Sequence, residues 1–284
     1  MNDFVTAAET IAAARHAGLQ KARLSPPQMV LRGVLAGMLL GYATSLVMVI
    51  LAQGAPPVVG ALCFPVGFVI LVLLGLELVT GNFALLQLAV LARSLSPGAM
   101  LRHWSWVYAG NLIGSVLYAV LLYLAISSAG ASTGGAIGDQ LRRVAQAKTL
   151  GYAALGAQGW AAAVVKGVLC NWMVTLAAVL AFASRSTTGR IAAMWLPIFT
   201  FFAHGYEHAV VNMFVIPAGM LLGAPVPPAA WWIWNQIPVT LGNLLGGVLF
   251  TALALHLAYP AGTAAETPAT REAPAFHAAQ ADAV

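Results

Sequence analysis

Residues 75–82 read Gly-Leu-Glu-Leu-Val-Thr-Gly-Asn, and they interrupt an apolar run that otherwise extends from 58 to 90. A second polar stretch, His-Gly-Tyr-Glu-His-Ala-Val-Val-Asn over 204–212, interrupts a run from 191 to 222. About 20 helical residues cross a hydrocarbon core, so both runs are long for one straight span. Irregular backbone persists at membrane depth only where protein or a watery cavity satisfies its polar groups. We therefore predict two broken helices that face a central conduit; two kinked helices whose polar residues bond to neighbours are the alternative.

The composition indicates an integral membrane protein. Of the 284 residues, 61% are hydrophobic and 7% are charged, against about 25% charged in an average soluble domain. Four further apolar runs bring the predicted spans to six: 33–51, 104–126, 160–183 and 231–258. The formal charge of +5 comes from scattered residues without a nucleic-acid-binding module, so nucleic acid is excluded as a partner. Cys63 and Cys170 show no paired or metal-ligand spacing, so neither disulfide, metal nor other cofactor is expected.

The chain also repeats itself. Gly110–Leu117 and Gly242–Leu249 agree at six of eight positions with an offset of 132 residues, and Glu77 and Glu207 are related by an offset of 130. These offsets predict two halves of three spans. Because three is odd, the second half must enter the membrane from the opposite side, which gives an inverted 3+3 repeat with the solute path between the halves.

Lys and Arg favour the cytoplasmic loops, which predicts the orientation. With both termini in the cytoplasm, nine of these residues lie inside and only Arg142, Arg143 and Lys148 lie outside. We therefore expect a multi-pass protein of the inner membrane. Residues 1–28 are predicted as a cytoplasmic segment with an interfacial amphipathic helix, 29–259 as the six-helix channel domain, and 260–284 as a disordered cytoplasmic tail.

The quoted segments resemble the formate/nitrite transporter family. Four blocks in the right order carry the resemblance: 75–81, 166–174, 205–213 and 237–243. It implies an aquaporin-like, all-α membrane fold, a homopentamer with one pore per protomer, and a small monovalent anion as substrate. Lys166 and the Cys-Asn-Trp run at 170–172 favour the nitrite-type branch, with formate, hydrosulfide, lactate and acetate still open. The departures from the family pattern, which leave substrate and pH response open, are Leu76, Val79, Thr175 and His204.

The same resemblance implies roles for individual residues. His208 matches the family's central pore histidine, Thr80 the loop threonine that hydrogen-bonds it, and Lys166 a basic residue that attracts anions at the outer mouth. Asn171 and Asn212 are expected to brace this region. Glu77 and Glu207 are expected to support the broken helices by accepting hydrogen bonds from amides freed by the breaks, and direct proton transfer is the alternative. Two apolar constrictions are implied, an outer one at Phe64 and Phe201 and an inner one at Phe68, Leu78 and Val174.

These residues suggest a passive or proton-linked conduit. An anion at the bilayer centre must be neutralised or paired with fixed positive charge. An imidazole, with a pKa near 6.5 when unperturbed, can supply a proton or a hydrogen bond, and apolar rings pass a neutral acid more readily than an ion. His204, one turn before His208, is a potential partial substitute for it.

Two other function classes are alternatives to anion transport. A channel for a neutral solute such as water or glycerol would leave Lys166 without a purpose, and the Asn-Pro-Ala pair of aquaporins is absent. A membrane-embedded enzyme could use His204 or His208 as a base. No Gly-x-Ser-x-Gly or His-Glu-x-x-His motif accompanies either histidine, so we predict that the protein is not an enzyme.

Overall fold

The computed structural model describes residues 3–260 and is helical throughout, with no β-strand in that range. Outside the helices, one isolated antiparallel bridge joins Phe4 to Ser184. The tail predicted for 260–284 lies outside the described residues apart from Pro260. In chain order the helices are α1 Ala7–Lys21, α2 Pro26–Ala52, α3 Pro57–Leu73, α4 Val79–Leu91, α5 Pro97–Ile126, α6 Gly135–Lys148, α7 Leu150–Ala154, α8 Gly156–Leu180, α9 Thr187–Ala203, α10 Ala209–Leu221 and α11 Pro228–Ala258.

Four of these helices, α2, α5, α8 and α11, are long and apolar enough to cross a membrane. Helix α11 is not a regular α-helix throughout, because it contains π-helical stretches at Trp232–Gln236 and Gly246–Leu253. Helix α5 begins at Pro97, seven residues before the apolar run that predicted it. Its first turn is capped by Ser96, whose hydroxyl accepts from the Ala99 N–H.

Both long runs are divided where the polar residues interrupt them. Helix α3 ends before Gly75 and helix α9 ends before Gly205, and these glycines have φ values of +63° and +67°. A left-handed residue of this kind terminates a helix, and glycine adopts it without a Cβ penalty. The chain then re-enters a helix after extended N-cap residues, Leu78 at φ −114° and His208 at φ −115°.

Close glycine contacts hold the long helices together. Helix α2 packs against α5, and a Cβ at Gly114 would lie 2.0 Å from the Val34 carbonyl oxygen. Helix α8 packs against α11 in the same way, since a Cβ at Gly242 would lie 2.2 Å from the Val164 carbonyl oxygen. These contacts agree with the small-residue spacing in the sequence, which lets helix backbones approach closely.

Two shorter helices, α1 and α6, pack against the helices that follow the two breaks, α4 and α10. Helix α1 packs against α4, and its Gly18 is so close to Leu85 that a Cβ would lie 2.0 Å from the Leu85 carbonyl oxygen. The interfacial position expected for this helix remains a prediction. Helix α6 packs against α10 through Leu141 and Ala145, and no apolar run predicted it.

Candidate functional site

The centre of the candidate site is a hydrogen bond between Thr80 and His208. The two atoms, Thr80 Oγ1 and His208 Nε2, are 2.9 Å apart, and both residues are buried. His208 Nδ1 accepts the backbone N–H of Val211 at 3.2 Å, so this nitrogen carries no proton. In the neutral ring the proton therefore lies on Nε2, which donates to the threonine oxygen. The hydroxyl hydrogen of Thr80 is then available to another acceptor.

The breaks bring two helix N-termini to this point. His208 is the N-cap of α10, and Thr80 is the second residue of α4. Each helix N-terminus carries the equivalent of about half a positive charge, because its first N–H groups are not paired within the helix. The contact between Thr80 and His208 therefore lies in a positive potential that requires no formally charged side chain.

Two asparagines satisfy the backbone at the breaks. Asn111 Oδ1 accepts from the Val79 N–H at 2.9 Å, while its amide donates to the carbonyls of Glu77 and Gly33 at 2.8 and 2.9 Å. Asn243 makes the equivalent contacts at the second break, with Ala209 N–H at 2.8 Å, Glu207 carbonyl at 2.9 Å and Gly167 carbonyl at 2.8 Å. Each asparagine fixes the path of one break and ties it to a long helix.

The carboxylates at the breaks do not accept the freed amides, which corrects the role expected for Glu77 and Glu207. The fully buried Glu77 instead accepts from Lys21 Nζ at 2.8 Å and from Asn82 Nδ2 at 2.7 Å. His103 Nε2 lies 3.2 Å from its second oxygen. Asn111 and Asn243 already accept backbone N–H groups at the breaks. The carboxylates instead accept hydrogen bonds from side-chain cations and side-chain amides.

Glu207 has a matching environment in the second half. It accepts from Lys148 Nζ at 2.7 Å, Asn212 Nδ2 at 2.7 Å and Tyr152 Oη at 2.8 Å. A buried carboxylate requires such compensation, because its desolvation costs several kcal/mol. Lys148, which the sequence places in an outer loop, pairs with this carboxylate from the end of α6.

Asn171 makes two hydrogen bonds near the centre of the site. Its amide donates to the Thr80 carbonyl at 3.0 Å and to the Asn243 carbonyl at 2.6 Å. It therefore connects α8 to α4 and α11. Asn212 braces the second half through Glu207 and Asn235.

The five residues expected at the constrictions are all buried within one apolar cluster: Phe64, Phe68, Leu78, Val174 and Phe201. Phe201 lies edge-on to Phe64 at 5.9 Å between ring centroids, and it stacks on the His208 ring at 5.9 Å. Phe202, which the sequence did not single out, stacks on Phe64 at 4.0 Å. The apolar ring at Phe64 and Phe201 thus contacts the histidine directly.

Lys166 lies beside the turn that precedes His208. It is ten residues after the start of α8 at Gly156, or about three turns into the helix, which is deeper than its apolar run indicated. Its Nζ lies 5.6 Å from the centroid of the Tyr152 ring, and its carbonyl accepts from the Glu207 N–H at 3.4 Å. Within residues 3–260 no carboxylate forms an ion pair with it.

His204 does not have the position that would let it substitute for His208. It is exposed at the C-terminal end of α9, and its Nδ1 donates to the Thr200 carbonyl at 2.8 Å. Its ring stacks on Tyr206 at 5.1 Å. These contacts hold the His204 ring at the end of α9. The hydrogen bond to Thr80 is made by His208 and not by His204.

The residues of this site that sequence reasoning missed include Lys21, His103, Asn111, Lys148, Tyr152, Phe202 and Asn243. A signal was present for two of them, because Asn111 and Asn243 occupy the same place in the repeated Gly-Asn-Leu segments. The absence of a metal site stays a prediction; among residues 3–260 no group of three His, Cys, Asp or Glu side chains is placed to hold an ion.

Comparisons with known proteins identify relatives of this architecture. The family described as "Formate/nitrite transporter" matches residues 8–257. A "Probable formate transporter" of Methanothermobacter thermautotrophicus is 42% identical over 207 residues, which cover 69% of this chain and 73% of that protein. The "Formate channel FocA" of Escherichia coli K12 is 29% identical over 283 residues, which cover 90% and 95% of the two chains.

Two solved structures are similar in fold. One, described as an "FNT family ion channel", superposes with a TM-score of 0.77 and 30% identity, covering 88% of this chain and 99% of that chain. The other, a "Pentameric formate channel with formate bound", has a TM-score of 0.66 and 27% identity, covering 82% and 97%.

Proposed function

This chain belongs to the formate/nitrite transporter family, and we propose that it is a membrane channel or carrier for small monovalent weak-acid anions. The observation that carries the proposal is the Thr80–His208 hydrogen bond at the meeting point of two helix N-termini. Such a point attracts negative charge and offers a hydroxyl hydrogen to an anion. Formate is the first substrate to test, because the similar proteins are named as formate channels or transporters. Nitrite, favoured by Lys166 and residues 170–172, is the second.

The proposed architecture is an inverted 3+3 repeat of six membrane-crossing segments, assembled as a homopentamer in the inner membrane. Matching contacts support the repeat: Asn111 and Asn243 at the breaks, and the pairs Lys21–Glu77 and Lys148–Glu207 beside them. The pentamer is supported by the similar structure described as pentameric. In this arrangement α4 and α10, whose N-terminal ends meet at His208, belong to opposite halves of the repeat.

We propose a path in which charge is compensated step by step. The ammonium of Lys166 has no carboxylate partner among the described residues, so it can concentrate anions near the 204–207 turn. The ring of Phe64 and Phe201 then removes water from the anion. Behind this ring the Thr80 hydroxyl donates to the anion, and the inner residues Leu78 and Val174, with Phe68, pass the neutral acid.

His208 acts in this proposal as a neutral hydrogen-bond donor rather than as a cation. A second ring proton would have to bind Nδ1, which already accepts the Val211 N–H. Its addition would remove the cap of α10 and place a full charge at a helix N-terminus, where positive charge is unfavourable. The proton that neutralises the anion therefore comes from water or from the mouth, and direct transfer from His208 is the alternative.

Flux measurements on purified protein in liposomes test the proposal. We expect formate and nitrite to enter proteoliposomes faster than they enter protein-free liposomes. Acetate and lactate should enter proteoliposomes more slowly than formate does, in order of size. Glycerol flux equal to that of protein-free liposomes is expected as well. Glycerol permeation without anion permeation would instead establish the neutral-solute channel, and the anion proposal would be abandoned.

A further inference from the structure

Residues 204–207 form a turn beside Lys166, and we call this turn the mouth turn. Its most exposed ionisable side chain is His204, which lies at the C-terminal end of α9. A carbonyl oxygen can only accept, so the 2.8 Å contact with Thr200 places a proton on His204 Nδ1. His204 Nε2 is therefore the ring nitrogen without a proton in the neutral ring, and no hydrogen bond within the described residues occupies it.

The turn that begins at His204 is bonded to the backbone of Lys166. Glu207, three residues after His204, donates its N–H to the Lys166 carbonyl at 3.4 Å. Between them, Gly205 is exposed with φ +67°, and a Cβ built on it would meet no atom within 4 Å. Gly205 thus faces open space, while the backbone of the turn is bonded to the backbone of Lys166.

We propose that protonated His204 and Lys166 form an anion-binding site at the mouth turn, ahead of the buried His208. The ligand class is a small carboxylate or other monovalent anion. The inference rests on the proposed transport function, and it adds a pH-dependent capture site in front of the conduit. Two cations bind a single anion more strongly than one, so the site strengthens as His204 becomes charged.

The surrounding charges permit this role. Helix α8 contributes Lys166 and the buried thiol Cys170, and helix α3 contributes only the thiol Cys63. Tyr206 stacks on the His204 ring, so it presents a neutral aromatic face. Glu207 is the one carboxylate of the turn, and its charge is compensated by Lys148, with a further hydrogen bond from Tyr152. His208 is neutral and bonded on both nitrogens.

The position explains why one histidine cannot perform both tasks. His208 is buried behind Phe201, and both of its nitrogens are bonded to protein. It therefore presents no free nitrogen to bulk water. His204 is exposed, and its Nε2 has no hydrogen-bond partner among the described residues, so an anion from bulk water can reach it.

The test compares KM for formate uptake at about pH 5.5 and about pH 8 in three proteins: wild type, His204→Asn and His204→Arg. An exposed ion pair of this kind changes affinity by about 2- to 5-fold. We expect His204→Asn to raise KM by this factor at the lower pH and to change it little at the higher pH. Arginine keeps a positive charge at both values, so His204→Arg should have a low KM at both.

A binding measurement that does not need flux completes the test. The imidazole nitrogen signals of His204, followed by NMR while sodium formate is added at about pH 5.5, should shift in a saturable way, also in a His208→Asn background. Equal KM values for wild type and His204→Asn at the lower pH, or an equal loss at both pH values, would overturn the mouth site. Absence of formate uptake by the wild-type protein would instead overturn the proposed function.

Discussion

At the residue scale, the Thr80 hydroxyl receives one hydrogen bond and can donate another. It accepts from His208 Nε2, while Asn171 holds the carbonyl of the same residue. A hydroxyl that accepts a hydrogen bond becomes a stronger donor, because hydrogen bonds in a chain polarise one another. The histidine therefore acts on the anion through the threonine, and the threonine side chain is the group that contacts the anion.

Thr80→Val tests this arrangement with a side chain of the same shape. We expect formate flux to fall about 10- to 100-fold, the effect of losing a hydrogen bond to a charged group. Thr80→Ser, which keeps the hydroxyl, should retain most of the flux. Thr44→Val is the matched control, because this buried hydroxyl bonds only to the Leu40 carbonyl of its own helix. Stopped-flow uptake by proteoliposomes measures all three; wild-type rates in Thr80→Val would contradict the assigned role.

Lys148 is expected to be essential for stability. Removal of one partner from a buried ion pair leaves the other charge uncompensated, at a cost of about 3–5 kcal/mol. Lys148→Met should therefore lower the Tm in detergent strongly, and Lys148→Met with Glu207→Gln should recover part of the loss. Arg143→Met, on the exposed side of the same helix, is the control and should change Tm little. Equal Tm values for the two single variants would show that the Glu207 charge does not depend on Lys148.

At the element scale, the breaks could be predicted from the sequence and their partners could not. Glu77 and Glu207 are conspicuous in the sequence because a carboxylate within an apolar run is costly to bury and therefore marks a structural or functional site. Their cations lie 56 and 59 residues away along the chain, and only the packing of α1 on α4 and of α6 on α10 brings them together. Helix α6 was missed because it contacts α10 through a few small and apolar residues rather than through a continuous apolar run.

The crossing of α2 and α5 gives an element-scale prediction. Gly114→Ala places a methyl carbon 2.0 Å from the Val34 carbonyl oxygen, so the two helix backbones would have to move apart. We expect a loss of about 1–3 kcal/mol, seen as a lower Tm and less folded protein. Gly98→Ala on the same helix meets no atom within 4 Å and should be neutral or slightly stabilising. The same Tm for both variants would mean that the close crossing does not limit stability.

At the scale of the whole molecule, the two halves make matching contacts but have different functional residues. Leu78 occupies the N-cap position of α4 that His208 occupies in α10, with nearly the same backbone angles. Position 80 is threonine in the first half, and the residue at the offset of 130 is Val210. One site therefore receives a histidine from one half and a hydroxyl from the other, which repetition of the sequence alone did not predict.

The inverted orientation of the halves can be tested by labelling. The α2–α3 and α8–α9 connections occupy equivalent places in the two halves, so inversion puts them on opposite sides of the membrane. The second connection lies beside the N-terminus, since the Arg185 N–H donates to the Asp3 carbonyl at 3.0 Å. In a Cys63→Ala background, Gln53→Cys should react with a membrane-impermeant maleimide in intact cells. Thr187→Cys should react only after permeabilisation, and reaction of both in intact cells would contradict the inversion.

The central claim is that a neutral His208, acting through Thr80, enables anion passage, and His208→Asn tests it most directly. Asparagine is a good N-cap, so it can still accept the Val211 N–H, but it is too short to replace Nε2 at Thr80. The variant should assemble normally and keep its Tm. We predict that its formate flux into proteoliposomes falls about 10-fold or more at every pH between about 5 and 8. Wild-type flux from a correctly assembled His208→Asn protein would contradict the account.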